Sequence, residues 1–464
     1  MGTGGEIDIY FKRRNLLFKF ICLRQVFPRR SLRREGGQER NGQFPADFNF
    51  ASPPPAYFLL ARNIKTDRRS DFFNIDFPNT FMLIYFPLKP TLLNKKLGRI
   101  ALSEYLANLL AELSALDGLP GHEQSVVRYL KEKFQPLATE ISIGTNGNIY
   151  ALQKGNQPGL TVMVAAHMDE IGLVVRDIDE RGMIRFDKLG WFSDSFLPGT
   201  RVRINGLPGL ISIKPGHLLT EEEKNKVLPH RSLSIDVGAN SAEEVKRMGI
   251  TIGDPIAFDV AFTRWANSNF CCGKALDNRA ACAILIALTE RLADGNFPGT
   301  FWAVGTVQEE RGLGGARTAA YFTHPDWFIA LDVALSVDNL DQASPSPQVK
   351  LGAGVVINLG DFLESAKRGY FINPGLKRLA IQLSKQKNIS IQLQALYGNS
   401  YTDAAAVAQE FSGIPSISLG IPVRYVHTPS AVCHLQDMEA CLDLAEALIR
   451  HGLQNKDLAF LPDD

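Results

Sequence analysis

The chain has 464 residues, 45% hydrophobic and 21% charged, enough to bury the cores of two ordinary domains with sequence to spare. Its formal net charge of +1 hides an uneven split: residues 1–100 hold 18 Lys+Arg against 8 Asp+Glu, and the remaining 364 hold 32 against 41. No stretch approaches 18 uninterrupted apolar residues, which excludes a helical membrane span, and the six Cys form no CxxC pair. With no recognisable signal peptide, a disulfide framework is not expected and a reducing, cytoplasmic location is.

Residues 1–98 carry basic clusters (Lys12-Arg13-Arg14, Arg29-Arg30, Arg33-Arg34, Arg68-Arg69), the Pro run 53–55 and no sustained helical or strand period. Three readings are open. A basic arm could meet nucleic acid or an anionic surface. An organellar targeting segment would be basic and poor in acids, but 13 of the 28 Phe fall in the first hundred residues and fit that reading badly. A disordered extension outside the mature protein, with Met82 as an alternative start, is the reading preferred here. No nucleic-acid partner is expected.

Order is expected from about Ile100, where Leu102, Tyr105, Leu106, Leu109, Leu110 and Leu113 fall at helical spacing and Gly118-Leu-Pro-Gly121 ends the element. A second helix is predicted from about Glu123 to Phe134. Apolar runs of strand length follow at 160–166, 301–307, 328–331 and 414–419, with helical stretches at 278–292 and 438–449. Their alternation predicts an α/β domain over 99–172 and 267–457. Between them, residues 173–266 break into short β-like segments separated by Gly and Pro, which predicts a small inserted β-rich domain.

In open α/β sheets, ligands sit beyond the carboxyl ends of the strands. Run 160–166 leads into His167 and Asp169, run 301–307 into Glu309 and Glu310, run 328–331 into Asp332, and the stretch from Ile414 into His427. Each residue also has a plain reading. His167 alone could be a strand-end ring with satisfied nitrogens, Asp332 a strand reaching solvent, His427 a loop residue, and the Glu pair a solvated turn. Asp277, just before a helical stretch, could be its N-cap. Together they read differently. Asp169, two residues on and so on the same face of extended chain, can hold the second ring nitrogen of His167. Extended backbone would also send Glu309 and Glu310 apart, one to a cation and one to water. Asp277 could bridge two cations, and a site rich in imidazole and carboxylate suits zinc, cobalt or manganese better than calcium or magnesium. Gly312-Leu-Gly-Gly-Ala316 lacks both the GK[ST] ending and GxGxxG spacing, so close helix packing is its expected use.

These segments together resemble the TET-type and glutamyl aminopeptidases, dinuclear metallopeptidases some of which are labelled endoglucanase M. The resemblance rests on five stretches in order: Ala166-His-Met-Asp-Glu-Ile-Gly172, Lys274-Ala-Leu-Asp-Asn-Arg279, Val307-Gln-Glu-Glu-Arg-Gly312, Ala330-Leu-Asp-Val333 and Arg424-Tyr-Val-His-Thr-Pro429. Gly118–Glu123, Lys214–His217 and Thr402–Ala404 match more weakly, and the likeness runs from about 100 to 455. It implies a zinc-aminopeptidase-like fold, a central mixed sheet flanked by helices with the small β-rich insertion. It implies two divalent ions, zinc or cobalt, with His167 and Asp332 on one, Glu310 and His427 on the other, and Asp277 bridging. Glu309 would be the general base acting on a water held between peptide substrate and metals, and Asp169 the partner of His167. It further implies that 173–266 mediates dimerisation and that dimers can build a tetrahedral dodecamer. The first 98 residues have no family counterpart, and Tyr397-Gly-Asn-Ser-Tyr-Thr-Asp403 departs from the tighter Gly-rich turn usual before that Asp. Two rival readings fit the residues less well: a glycoside hydrolase using paired carboxylates gives the two His no task, and a non-catalytic scaffold has no need of five ligands and a base.

Overall fold

The computed structural model describes residues 95–339, 349–364 and 367–461, with four short strands before them; side chains are described from Ala101 onward, those of Gly398 and Asn399 excepted. Two compact units divide the chain, Met1–Lys95 and Lys96–Asp464. The first holds an antiparallel hairpin, Glu6–Arg13 with Leu16–Leu23, and the paired two-residue strands Leu59–Leu60 and Leu83–Ile84. Ile7, Ile9 and Phe11 alternate with Asp8, Tyr10 and Lys12 there, so the extension does hold one strand period, contrary to expectation. Lys95–Gly98, at the end of the expected extension, already belong to the first helix; the remaining extension residues, on which the expectation of disorder falls, lie outside those described.

The second unit is built on a twelve-stranded mixed sheet. Its middle is four parallel strands in the order Pro298–Thr306, Gln157–His167, Trp327–Ser336 and Ser416–Arg424. Antiparallel strands extend both sides, Ile149–Lys154 and Glu140–Ile143 on one, Ala431–His434, Phe270–Gly273 and Thr263–Arg264 on the other. Near-continuous apolar runs form the middle strands because helices cover both faces. Val162, Val164, Ala166, Ile329 and Leu331 turn to a large core with the helices Leu276–Leu292 and Leu435–His451. Met163, Ala165, Val304, Phe328 and Ala330 turn to a smaller core with Gly314–Thr323 and Asp403–Val407. Both expected amphipathic helices form, as Lys95–Ala115 and Gln124–Phe134. This is the α/β fold with a mixed central sheet read from the sequence.

Between the first and second halves of that sheet the chain closes a six-stranded barrel. Its strands, in ring order, are Arg201–Ile204, Leu207–Ile211, Ile235–Asp236, Ile184–Leu189, Gly172–Ile178 and Pro255–Phe258. It has its own core, including Leu173, Val175, Phe186, Phe192, Val202 and Phe258. Closure leaves no free sheet edge, which suits short strands of two to seven residues. Thr263–Arg264, within the expected insertion, belongs instead to the large sheet.

Candidate metal centre

Strand register sets the first half of the site. Thr306 lies opposite His167, and Ala330 lies opposite Ala165, so Asp332 falls level with His167 on the neighbouring strand. Period-two alternation then puts Thr306, His167 and Asp332 on the face of Met163 and Ala165. The strand carrying Asp332 runs on to Ser336, so Asp332 is not a strand end as expected. Its carboxylate meets a ring rather than solvent: Oδ1 lies 3.8 Å from His167 Nε2.

Asp277 closes the second side of His167. The helix is assigned from Leu276 to Leu292, but Asp277 and Asn278 have non-helical backbone angles, and the Asp277–Asn278 peptide bond is cis. Asn278 Nδ2 donates to the Leu331 carbonyl at 2.9 Å, tying this turn to the Asp332 strand. Freed from the helix, the Asp277 carboxylate makes no cap. Its Oδ1 lies 3.1 Å from His167 Nε2 and its Oδ2 3.4 Å from His427 Nε2. Glu310 Oε1 is also 3.4 Å from His427 Nε2. Two groups result, His167–Asp277–Asp332 and Asp277–Glu310–His427, each with ligand atoms within 4.8 Å of one another and Asp277 common to both.

Both rings are oriented alike. His427 Nδ1 lies 2.6 Å from the Trp191 carbonyl, which can only accept, so this nitrogen carries the proton. His167 Nδ1 likewise faces the Asp169 carbonyl at 3.2 Å and its carboxylate at 3.5 Å. Each Nε2 therefore points its lone pair at carboxylates, an arrangement that calls for a positive charge between them. Burial, the largest influence, pulls the His427 ring down, but Glu310 and Asp277 outweigh it and push the pKa up to about 11. His167 is raised well above the usual range, with burial again opposing and Glu309, Asp169 and Asp277 prevailing. Burial pushes Asp277 up, yet the two His hold it well below the usual carboxylate value.

Glu309 and Glu310 do not sit in extended chain. They occupy a short 3-10 turn, Glu309–Arg311, entered through Gln308 at φ 57°. Asp169 fixes that turn: Oδ1 accepts from the Glu309 amide and Oδ2 from the Glu310 amide, both at 3.0 Å. Strand geometry ends at His167, so this double acceptance, rather than a shared strand face, places Asp169. The Glu309 carboxyl is buried, and burial together with Asp332, Glu310 and Asp403 holds its pKa well above the ordinary range against the opposing pull of His167. The helix Gly314–Thr323 then packs tightly, since a Cβ on Gly315 would lie 2.3 Å from the Val307 carbonyl oxygen. Close helix packing is thus the use of the Gly312–Ala316 segment.

Several contributing residues were given no role in the sequence, although Asp403 and Glu123 lie in the weaker matched stretches. Trp191 and Gly190 reach the centre from the barrel. Thr306 Oγ1 donates to Asp403 Oδ2 at 2.7 Å beneath the site, and Asp403 Oδ1 is buried without a partner. Burial, opposed by His167 and Thr306, leaves the Asp403 pKa at about 6. Glu123 accepts from the Gly121 and Gln308 amides at 2.9 and 3.1 Å. A buried ionic group flanks the Asp277 turn: Lys274 Nζ lies 2.7 Å from Glu170 Oε1, and Arg279 Nη2 3.3 Å from the same oxygen. Glu170, Lys274 and Arg279 all fall inside matched motifs, which was the available signal.

Fold and centre together define a class: an α/β enzyme scaffold with a shared His–carboxylate cluster at the carboxyl ends of parallel strands. The chain belongs to the M42 glutamyl aminopeptidase family, whose profile matches residues 147–444. Its activity class is accordingly that of an aminopeptidase, a hydrolase of peptide bonds. A putative aminopeptidase of Acetivibrio thermocellus is 34% identical over 347 residues, covering 74% of this chain and 97% of that protein. A solved aminopeptidase from the archaeon Desulfurococcus kamchatkensis is 31% identical with a TM-score of 0.71, over 75% of this chain and 96% of that one. A Pyrococcus horikoshii TET1 peptidase, described as able to assemble into a tetrahedron or a large octahedral shell, is 28% identical with a TM-score of 0.65, over 74% and 99%.

Proposed function

We propose that the chain is a two-cation aminopeptidase in which His167 and Asp332 hold one ion, Glu310 and His427 the other, and Asp277 bridges them. The observation that carries this reading is the split of Asp277, whose two oxygens face two different imidazoles. The donor set fits the group: imidazole Nε2 atoms and carboxylates, each ring anchored through Nδ1, suit zinc or cobalt. When bound, such ions supply Lewis acidity, lowering the pKa of water and polarising the scissile carbonyl.

The protein's own groups do the rest. Glu309 takes the proton of the attacking water and returns it to the leaving amine; it is buried beside the cluster and is not one of the five donors. Asp169 keeps Glu309 in reach by holding its amide, and it keeps Glu310 and His167 in place by the same contacts. Buried carboxylates around the cluster leave a net negative site suited to the free ammonium of a peptide N-terminus. A glycoside hydrolase would leave both imidazoles idle.

The barrel is proposed as the dimerisation domain, with dimers assembling into a tetrahedral dodecamer; the Pyrococcus horikoshii relative is described as able to assemble into a tetrahedron. Exposed Leu210, Ile213, Leu218 and Val227 on it support such a surface. A cytoplasmic location is proposed because no disulfide forms among the described residues, where Cys271, Cys272, Cys282, Cys433 and Cys441 are free. No helix of the described residues is long and apolar enough to cross a membrane.

The test pairs metal analysis with one substitution. Wild type is expected to hold two transition ions per chain and to hydrolyse aminoacyl amides only when they are present. Glu309→Gln should keep both ions and lose roughly 10²–10⁴-fold in kcat. Metal-loaded Glu309→Gln with near-normal turnover removes Glu309 from the role.

A further inference from the structure

The mouth of the centre is one-sided. His167 is 2% exposed, whereas the His427 side chain is 30% exposed, so solvent reaches the cluster from the His427 side. Beside it stands Trp191, 80% exposed and, with Phe460, the most exposed large apolar residue among those described. Its place is fixed by main chain. The Trp191 carbonyl accepts from His427 Nδ1 at 2.6 Å. Gly190, at φ +87°, packs so closely that a Cβ there would lie 2.7 Å from Ile171 Cγ2 and 3.2 Å from Glu310 Oε2. The backbone is thus pinned to two groups of the cluster while the indole is left in water.

An aminopeptidase removes one residue, so the end of the site that takes the ammonium must be closed and the rest of the peptide must leave by the open side. The closed side holds Glu309, Asp332 and Asp403, all buried. The Trp191 main chain stands on the other, against His427. We infer that the Trp191 indole is the platform for the residue just beyond the scissile bond, and that it gives the enzyme a preference for apolar and aromatic side chains at that position. A rigid, amphipathic ring with two side-chain torsions is suited to this because little conformational freedom is lost on contact. The inference rests on the aminopeptidase reading and adds the substrate class on the leaving side. Trp191 acts through substrate contact, and its variants keep the main-chain carbonyl that meets His427.

The experiment uses the full chain loaded with zinc or cobalt. A panel of aminoacyl amides first identifies the best N-terminal residue, X; the dipeptides X-Gly, X-Leu and X-Phe are then compared. Wild type should favour X-Phe over X-Gly by about tenfold in kcat/KM, as one aromatic contact provides. Trp191→Ala should bring that ratio close to one, through KM rather than kcat, and Trp191→Phe should keep most of it. A wild-type ratio near one overturns the inference even if the Ala variant fails to fold. So does a Trp191→Ala enzyme that loses the same factor on X-amide, X-Gly and X-Phe, since that pattern belongs to a structural role. Light scattering on both proteins supplies the last arm: a variant that dissociates yet keeps its X-Phe preference makes Trp191 a subunit contact instead. Metal-loaded wild type that turns over no aminoacyl substrate at all sinks the aminopeptidase reading itself, a result distinct from a flat ratio.

Discussion

The two halves of the cluster are built by different means. His167 and Asp332 lie on adjacent parallel strands at one level, so hydrogen-bonded register sets their separation. Glu310 and His427 come from a 3-10 turn and a loop, and both are braced by other segments: the Glu310 amide by Asp169 and the His427 ring by a barrel carbonyl 236 positions away. The sheet half is rigid because breaking its register would break the core. The loop half depends on a few polar contacts, each of which one substitution can remove. Asp277 belongs to both, and its loss should erase the difference.

Asp277→Ala is therefore the largest effect expected. It leaves two imidazoles and two carboxylates without their common partner, and both ions should be lost together. Activity should fall by at least about 10³-fold, since several kcal/mol of transition-state stabilisation depend on the ions. Metal content by mass spectrometry of the purified protein checks this. One ion retained at full occupancy would show that Asp277 serves one half only.

Proton competition ties both halves to pH, since the His167 ring is also raised well above its usual range. The His427 pKa, pushed up to about 11 from an ordinary value near 6.5, means that the metal-free ring holds a proton at neutral pH. The sign follows. Stability from the charged His427–Glu310–Asp277 contacts is fully present below about 6.5 and is lost as pH rises through about 11. An incoming ion must displace that proton, so apparent affinity should rise about tenfold per pH unit for each proton released. Zinc titrations by calorimetry between pH 6 and 8, run in buffers of different ionisation enthalpy, should report at least one proton released per ion, from His167 and from His427 alike. Heats independent of buffer would contradict the charged ring.

How much of this could be read without coordinates depended on which force set each position. His167, the Glu309–Glu310 pair and His427 were legible because a buried parallel strand writes itself as an apolar run, and the next polar residue marks its outlet. Asp332 was legible as a candidate but misplaced as a strand end, since one charge facing a cluster looks the same in sequence as one facing water. Asp277 resembled a cap because helix patterns do not reveal two non-helical residues at the start. Spacing suggested extended backbone for Glu309 and Glu310, and the turn that replaced it is held by a distant carboxylate. Trp191 was invisible for a plainer reason: every residue has a carbonyl, so a main-chain acceptor leaves no mark in composition or period. The Lys274–Glu170–Arg279 group lay inside quoted motifs, but isolated charges read as surface until their burial is known.

Asp169→Asn tests the joint between the halves. The amide keeps the shape, but its NH₂ end cannot accept one of the two amides that Asp169 now takes, at Glu309 or Glu310. Such outer partners of a metal-bound His typically cost about 10–100-fold in affinity or activity. The loss should fall on kcat and on metal affinity together, because Glu309 and both halves shift. A loss confined to one ion would assign Asp169 to His167 alone.

The smallest effect is expected at the loop half's outer brace. Gly190→Ala places a methyl group 2.7 Å from Ile171 Cγ2 and 3.2 Å from Glu310 Oε2, at a φ of +87° that a side chain rarely adopts. Strain of this kind costs about 1–3 kcal/mol. The atoms that methyl would meet belong to Ile171 and Glu310, so the strain should be relieved by a shift of the Trp191 carbonyl away from His427. His427 then loses the acceptor that fixes its tautomer, and the ion it shares with Glu310 should dissociate several-fold faster while the His167 ion stays. Stepwise chelator stripping of wild type and variant measures both rates. Equal acceleration at the two positions would mean that the halves are mechanically coupled, and the contrast between register and loop would no longer describe how the proposed ions are held.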